Sequence, residues 1–355
     1  MIFATIVFIL MLAILILGHE TGHFLAAKKM GIKIEEFGIG FPPRLFSFKK
    51  NETTYSINLL PLGGFVRLLG EDGQEKQGPE SFASKKIYQR AIVLVAGVLM
   101  NLVLAWFFIS ANLMIGAPQI VGADDGIVPV QVIETVKNSP AEKIGIEPGD
   151  KILSASFDNQ KIKINNPEDL TSFVLQHRGQ LISLEIQKGG STINKEVNLP
   201  ESATVGSGIL GVSLAKIELQ RHPWYVALWK GLVITIQTAM FFTWEILKIL
   251  YSALSGHNVS EYLSGPLGIA KVTFQAVQMG LGYVLQLAFL LSINLAILNI
   301  LPIPALDGGR LFFLAIEKIK GSPINPKIEQ KANLVGFVVL IALMILITIK
   351  DIIKF

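Results

Sequence analysis

Apolar residues run almost unbroken from Met1 to Leu17, and the pattern continues as a helix from about Phe3 to Ala27. At 1.5 Å per residue that stretch can cross a hydrocarbon core of roughly 30 Å. Three more runs of the same kind follow, at about Ala91 to Ile115, from near Leu281, and at about Leu334 to Ile349. The third is interrupted by Pro302 and Pro304, which must break or kink a helix. Unwound backbone at that depth is tolerated only where protein buries it or where it lines a cavity.

Trp224 to Leu254 is also long enough to span, but its polar residues are arranged differently. Lys230, Gln237, Thr238, Glu245, Lys248 and Ser252 fall within an arc of roughly 100° on one face. Trp224, Tyr225, Trp229 and Trp244 suit a membrane–water boundary, so the stretch reads as an interfacial amphipathic helix. A span packed against other helices through that polar stripe is the alternative.

Two segments carry strand patterns. Ile32 to Phe37 and Thr54 to Leu60, followed by Pro61-Leu62-Gly63-Gly64-Phe65-Val66, predict a β element. It is either a small cytoplasmic sheet or an element dipping into the membrane, where its edge could receive an extended peptide. Residues 122–215 carry charges of both signs and short strand-like runs around a helix at Asn166 to His177 with Pro167 at its start, which predicts a strand-rich α+β soluble domain.

The composition of the 355 residues agrees: 51% are hydrophobic and 16% charged, and the chain reads as a polytopic α-helical membrane protein with four transmembrane helices. The net charge of +4 is therefore no argument for nucleic acid, because basic residues of membrane proteins mark cytoplasmic loops. Lys28, Lys29, Lys33, Lys85, Lys86 and Arg90 place residues 28–90 in the cytoplasm, and the N-terminus and the soluble domain outside. A second basic loop, bearing Arg310, Lys318, Lys320, Lys327 and Lys331, is cytoplasmic on the same rule. The absence of cysteine excludes thiolate metal sites and disulfides. Met1 to Leu17 lacks a basic n-region and reads as a retained span, not a cleaved signal.

The chemistry gathers at one depth. His19 and His23 are four apart on the first helix and share a face, with Glu20 beside them, the His-Glu-x-x-His pattern in which two histidines bind zinc and the glutamate acts as general base. Three ionisable groups within five positions of a span need a shared partner, and a metal ion supplies one. Asp307 is the candidate third ligand, because it follows the proline-broken helix on the same cytoplasmic side and Gly308-Gly309 permit close backbone approach. A helix N-cap is its alternative role. Asn299 is a candidate hydrogen-bond donor to a developing oxyanion, or a helix-packing group. Gly97 and Asn101 are read as packing residues, and His177, His222 and His257 as ordinary surface histidines.

These residues resemble the site-2 intramembrane metalloproteases, among them the bacterial regulator-of-sigma-E type. His19-Glu20-Thr21-Gly22-His23 is similar to that family's zinc motif and Leu306-Asp307-Gly308 to its Leu-Asp-Gly motif. Pro61 to Val66, with Gly63, Gly64 and Phe65, is similar to the end of its membrane-re-entrant β element, a substrate-binding part. Ser264 to Ala270 resembles a recurring segment before the third span, and residues 122–215 look like a PDZ domain. The resemblance divides the chain as follows: 1–30, first helix with zinc motif; 31–72, β element; 73–118, loop and second helix; 119–218, PDZ domain; 219–280, interfacial helix and connecting loop; 281–332, third span with Leu-Asp-Gly and loop; 333–355, fourth helix.

It implies a Zn2+ endopeptidase of the bacterial inner membrane that acts in a stress response. The implied substrates are single-span membrane proteins, such as anti-sigma factors or remnant signal peptides, already trimmed by another protease. The PDZ domain would act as a size filter, and Asn299 would lie near the substrate backbone. Close relatives often have two PDZ domains where this chain has room for one, histidine where Arg310 stands, and proline where Val98 stands. Two other readings compete. A membrane-anchored PDZ receptor with a non-catalytic metal site has no use for Glu20, and a transporter would need a track of ionisable groups and an inverted repeat.

Overall fold

The computed structural model describes residues 2–71, 78–120, 128–158, 160–188, 190–202, 208–257 and 265–354. Ser264, the first residue of the recurring segment noted above, lies outside them. The chain divides into two units: residues 1–111, 224–274 and 284–355 form one, and residues 112–223 with 275–283 the other.

The first unit is helical. Among the described residues, five helices are long and apolar enough to cross a membrane: α1 (Ile2–Lys29), α2 (Ile87–Ile115), α5 (Trp224–Leu254), α7 (Leu281–Ile300) and α9 (Pro326–Lys354). With the β element below they make this a helical membrane protein with a β element. Small residues set how closely α1 meets α2. A Cβ on Gly22 would lie 2.3 Å from the Ala96 carbonyl oxygen, and one on Gly18 would collide with Leu104. Around these crossings Leu15, Ala105, Phe289 and Ile293 form one buried cluster, and Ala27, Ile34, Leu68 and Val93 another.

Helix α5 packs through Ile234, Ala239, Phe242 and Ile246 on the first cluster, and Trp106 Nε1 donates to the Leu228 carbonyl at 2.8 Å. Lys230, Gln237 and Lys248 of its polar stripe are exposed and Thr238, Glu245 and Ser252 half-buried, while Ile236, Met240 and Phe241 are exposed as well. The charge-rich stretch after the prolines is an amphipathic helix, α8 (Asp307–Lys320), instead of an open loop. A short helix, α6 (Pro266–Met279), stands where only a connecting loop was expected. Helix α9 starts at Pro326, eight residues before its apolar run, because Pro suits a first helical turn.

Strands β1 (Ile34–Lys50) and β2 (Thr53–Leu68) pair antiparallel and both fold back on themselves. Glu36–Ile39 is flanked on one side by Gly64–Arg67 and on the other by Thr54–Ile57. The Gly64–Leu68 stretch is thereby left at the outer edge of the sheet, next to α1.

The second unit is a twisted sheet of seven strands in the order β3-β9-β4-β5-β7-β8, with β6 paired to β5. The strands are β3 (Ala117–Ile120), β4 (Val130–Thr135), β5 (Lys151–Phe157), β6 (Gln160–Lys163), β7 (Leu181–Lys188), β8 (Ser191–Asn198) and β9 (Val212–Gln220). Alternation along β7 puts Ile182, Leu184 and Ile186 into a core with Val130, Val132, Ile152, Leu170 and Phe173. Helix α3 (Pro140–Lys143) is capped by Ser139, whose side chain accepts from Glu142 N. Helix α4 (Pro167–Gln176) opens with a capping box between Asn166 and Asp169. The sheet reaches past residues 119–218 at both ends, because β3 begins at Ala117 and β9 ends at Gln220.

Candidate metal centre

Helix α1 carries His19, Glu20 and His23, and both imidazoles are buried. Their rings meet edge to face at 4.7 Å between centroids, with the two Nε2 atoms 3.1 Å apart. Asp307 brings Oδ2 to 3.1 Å from His19 Nε2 and 3.2 Å from His23 Nε2. Ligand atoms 2.0–2.2 Å from a tetrahedral zinc lie roughly 3.3–3.6 Å from one another, so this triangle is close to the size zinc needs. Asp307 Oδ2 is buried and has no hydrogen bond of acceptable geometry. Two imidazole nitrogens and a carboxylate oxygen aimed at one point fit a cation and little else.

Asp307 reaches this point because the chain breaks just before it. Helix α7 stops at Ile300, Ala305 adopts a positive φ of 76°, and α8 starts at Asp307. A Cβ on Gly308 would lie 2.1 Å from the Leu301 carbonyl oxygen, and one on Gly309 2.4 Å from that of Ile303, so only glycine lets α8 fold back on the break. Leu306, not Asp307, is the N-cap of α8, and the Asp307 carboxylate is directed to the histidines. Helix α9 braces the same break, since Asn333 Oδ1 accepts from Ala305 N at 3.1 Å and Gly336 packs on Pro304.

The outer ring comes from α2 and α7. His23 Nδ1 lies 2.8 Å from the Val93 carbonyl oxygen, which can only accept, so Nδ1 holds a proton and Nε2 is the nitrogen that would face a metal. His19 Nδ1 lies 3.3 Å from the Asn101 amide. With the amide oxygen turned to Nδ1, the otherwise unpartnered Asn101 Oδ1 is satisfied and His19 Nε2 is freed as well. Ser292 Oγ donates to the Asn101 carbonyl at 2.7 Å, tying α7 to α2 at this level. A Cβ on Gly97 would lie 2.3 Å from His23 Nε2 and 2.7 Å from His19 Cε1, so the imidazoles occupy space that any side chain there would fill. Asn101 and Gly97 looked like packing residues in the sequence, and only their position opposite His19 and His23 reveals more.

Asn299 also arrives, with Nδ2 3.4 Å from His19 Nε2. The β element reaches the site through Gly64, where an added Cβ would touch Glu20 Cγ at 3.4 Å. Phe65 lies against Gly38 instead, and Gly63 supplies a positive φ of 127° at the fold of the strand. Arg310 is ion-paired with Glu71, which also accepts from Leu68 N. Burial opposes the guanidinium charge and Glu71 more than offsets it, so Arg310 stays protonated. His177 stacks on Phe173 in the second unit and is not part of the site.

The family description "Peptidase family M50" matches residues 7–343. A Clostridium perfringens protein provisionally named a zinc metalloprotease is 36% identical over 96% of this chain and 95% of its own length. The zinc metalloprotease RasP of Geobacillus kaustophilus is 30% identical over 98% of this chain and 97% of its own. The regulator of sigma-W protease RasP of Bacillus subtilis is 30% identical, with the same coverage.

Proposed function

Because the chain belongs to peptidase family M50, and is a zinc metalloprotease embedded in a membrane, we propose that it cuts transmembrane segments of single-span proteins at the His19–His23–Asp307 site. The observation that carries this reading is the convergence of His19 Nε2, His23 Nε2 and Asp307 Oδ2 beside Glu20, within an apolar helix. His19, His23 and Asp307 are the residues that would hold the ion. When bound, zinc supplies Lewis acidity, which brings the pKa of water down to about 7 and polarises a peptide carbonyl.

The chain's own groups do the rest. Glu20 takes a proton from the attacking water and returns it to the leaving amine. Asn299 Nδ2 donates to the carbonyl oxygen as it gains charge. The outer edge at Gly64–Leu68 pairs with the substrate backbone, so a helical substrate is held extended next to Glu20. Gly64 keeps this edge close: a Cβ there would crowd the Gly38 carbonyl oxygen at 3.2 Å, with Glu20 Cγ already at contact distance.

The regulator-of-sigma-E type, with anti-sigma factors or remnant signal peptides as substrates after a first cut by another protease, is the physiological setting that the motifs favour. Residues 119–218 serve as a PDZ domain that restricts which substrates reach the site. Helix α5 lies at the interface and the spans are α1, α2, α7 and α9. Across a bilayer, α5 would turn Lys230, Gln237 and Lys248 toward lipid at a cost of several kcal/mol. This arrangement puts the N-terminus and residues 112–223 outside and the metal centre near the cytoplasmic leaflet.

The test uses purified full-length protein in detergent, with metal content and cleavage of a model transmembrane peptide measured together. Wild type is expected to hold about one zinc and cut. Glu20→Gln should keep the zinc and lose about 10²- to 10⁴-fold in turnover, and Asp307→Ala should lose the metal. Normal cutting by Glu20→Gln would overturn the assignment of the base, and full zinc content in Asp307→Ala would overturn the ligand set.

A further inference from the structure

Helix α8 has two apolar faces, and the metal centre uses one. Leu314 and Leu311 pack into the buried cluster around Val93, and on the same side Arg310 pairs with Glu71 and Glu317 with Arg90 at 2.5 Å. On the other side Phe312, Ala315, Ile316 and Ile319 fall within an arc of roughly 100° at helical spacing. Phe312 is 52% exposed and Ile319 88% exposed. Lys318 and Lys320 flank this stripe, one on each side. Neither makes an ion pair among the described residues, whereas the two charged groups of the inner face are both matched.

The position of α8 in the chain limits what can cover the stripe. Six residues separate it from α7 and five from α9, and both neighbours are long and apolar enough to cross a bilayer. Five extended residues reach about 18 Å, so both links hold α8 near the membrane surface. The next basic residues, Lys327 and Lys331, are exposed in the first turns of α9. An apolar stripe bordered by lysines, tethered at both ends to membrane-crossing helices, has the form of an interfacial helix on a negatively charged leaflet.

We propose that α8 is a membrane-surface helix, seating Phe312, Ile316 and Ile319 at the acyl boundary while Lys318 and Lys320 contact anionic phospholipid headgroups. The inference rests on α7 and α9 crossing the bilayer and is independent of proteolysis.

The chain has no cysteine, so a single reporter can be placed without background. Ile319→Cys, labelled with an environment-sensitive fluorophore in the full-length Glu20→Gln protein, is reconstituted into phosphatidylcholine vesicles with and without phosphatidylglycerol, using brominated acyl chains as quencher. A label on Ser191→Cys in the second unit is the aqueous reference. The expected result is lipid quenching at 319 that grows with phosphatidylglycerol and is absent at 191. The paired change Lys318→Gln with Lys320→Gln should weaken the phosphatidylglycerol dependence by roughly fivefold per lysine, with zinc content unchanged. The proposal falls if aqueous iodide reaches 319 as readily as 191, or if phosphatidylglycerol acts equally on the lysine variant. It also falls if 319 is shielded from iodide and bromolipid alike, because a protein partner would then cover the stripe.

Discussion

The two units hold themselves together by different means. In the second, Val130, Ile152, Leu184 and Ile186 fill a conventional apolar core between a sheet and α4, and the driving force is removal of that surface from water. In the first, lipid-facing surface gains little from burial, and the close contacts fall at glycines: Gly22 on Ala96, Gly97 on the imidazoles, Gly308 and Gly309 on the broken end of α7. The first unit is therefore governed by what a side chain would displace, and the second by what a side chain fills. A substitution that removes volume should injure the second unit, and one that adds a single carbon should injure the first.

The largest effect expected from that contrast is Leu184→Ala. Leu184 is fully buried in the second unit, and its truncation should cost that unit about 2–5 kcal/mol, read as a lower urea midpoint for residues 112–223 followed by hydrogen exchange. Zinc content should not change. Loss of zinc on this change would mean that the two units do not stand independently. Gly97→Ala makes the opposite alteration. One methyl group placed 2.3 Å from His23 Nε2 should cost about 1–3 kcal/mol of packing strain and appear as weaker zinc retention against a chelator, with the second unit's exchange pattern intact. Wild-type retention in Gly97→Ala would show that α2 is free to retreat.

Sequence made some of this legible because some of it is local. His19, Glu20 and His23 lie within five residues on one helix, so the common face of the two histidines, with Glu20 beside it, follows from helical geometry alone. Asp307 could be put forward because prolines and glycines write a helix break into the chain just around it. Strand alternation from Leu181 to Gln187 marks a buried face in the same way. Gly97, Asn101 and Ser292 belong to helices distant in sequence, and a glycine, an amide and a hydroxyl in an apolar run look alike whether they pack helices or orient a ligand. Helix α8 was hidden for another reason. Its charges read as a loop, and apolar residues divided between a buried face and an exposed stripe show their meaning only once Arg310 and Glu317 are seen to point inward.

Asn101 is the smallest and sharpest test, since it separates a packing amide from one that orients a ligand. It is fully buried, its carbonyl is already used by Ser292, and its side chain has one neighbour of consequence, His19 Nδ1. If the amide only packs α2 against α1, Asn101→Leu, with similar volume and no polar atom, should preserve zinc affinity. If it fixes the His19 tautomer, both Asn101→Leu and Asn101→Ala should lose about 10- to 100-fold in zinc affinity. Asn101→Asp, which still presents an oxygen to Nδ1, should recover much of that loss. Competition with a chelator reads all three, and equal affinities across the series would return Asn101 to the packing residues and leave His23, held by Val93, as the only imidazole oriented from α2.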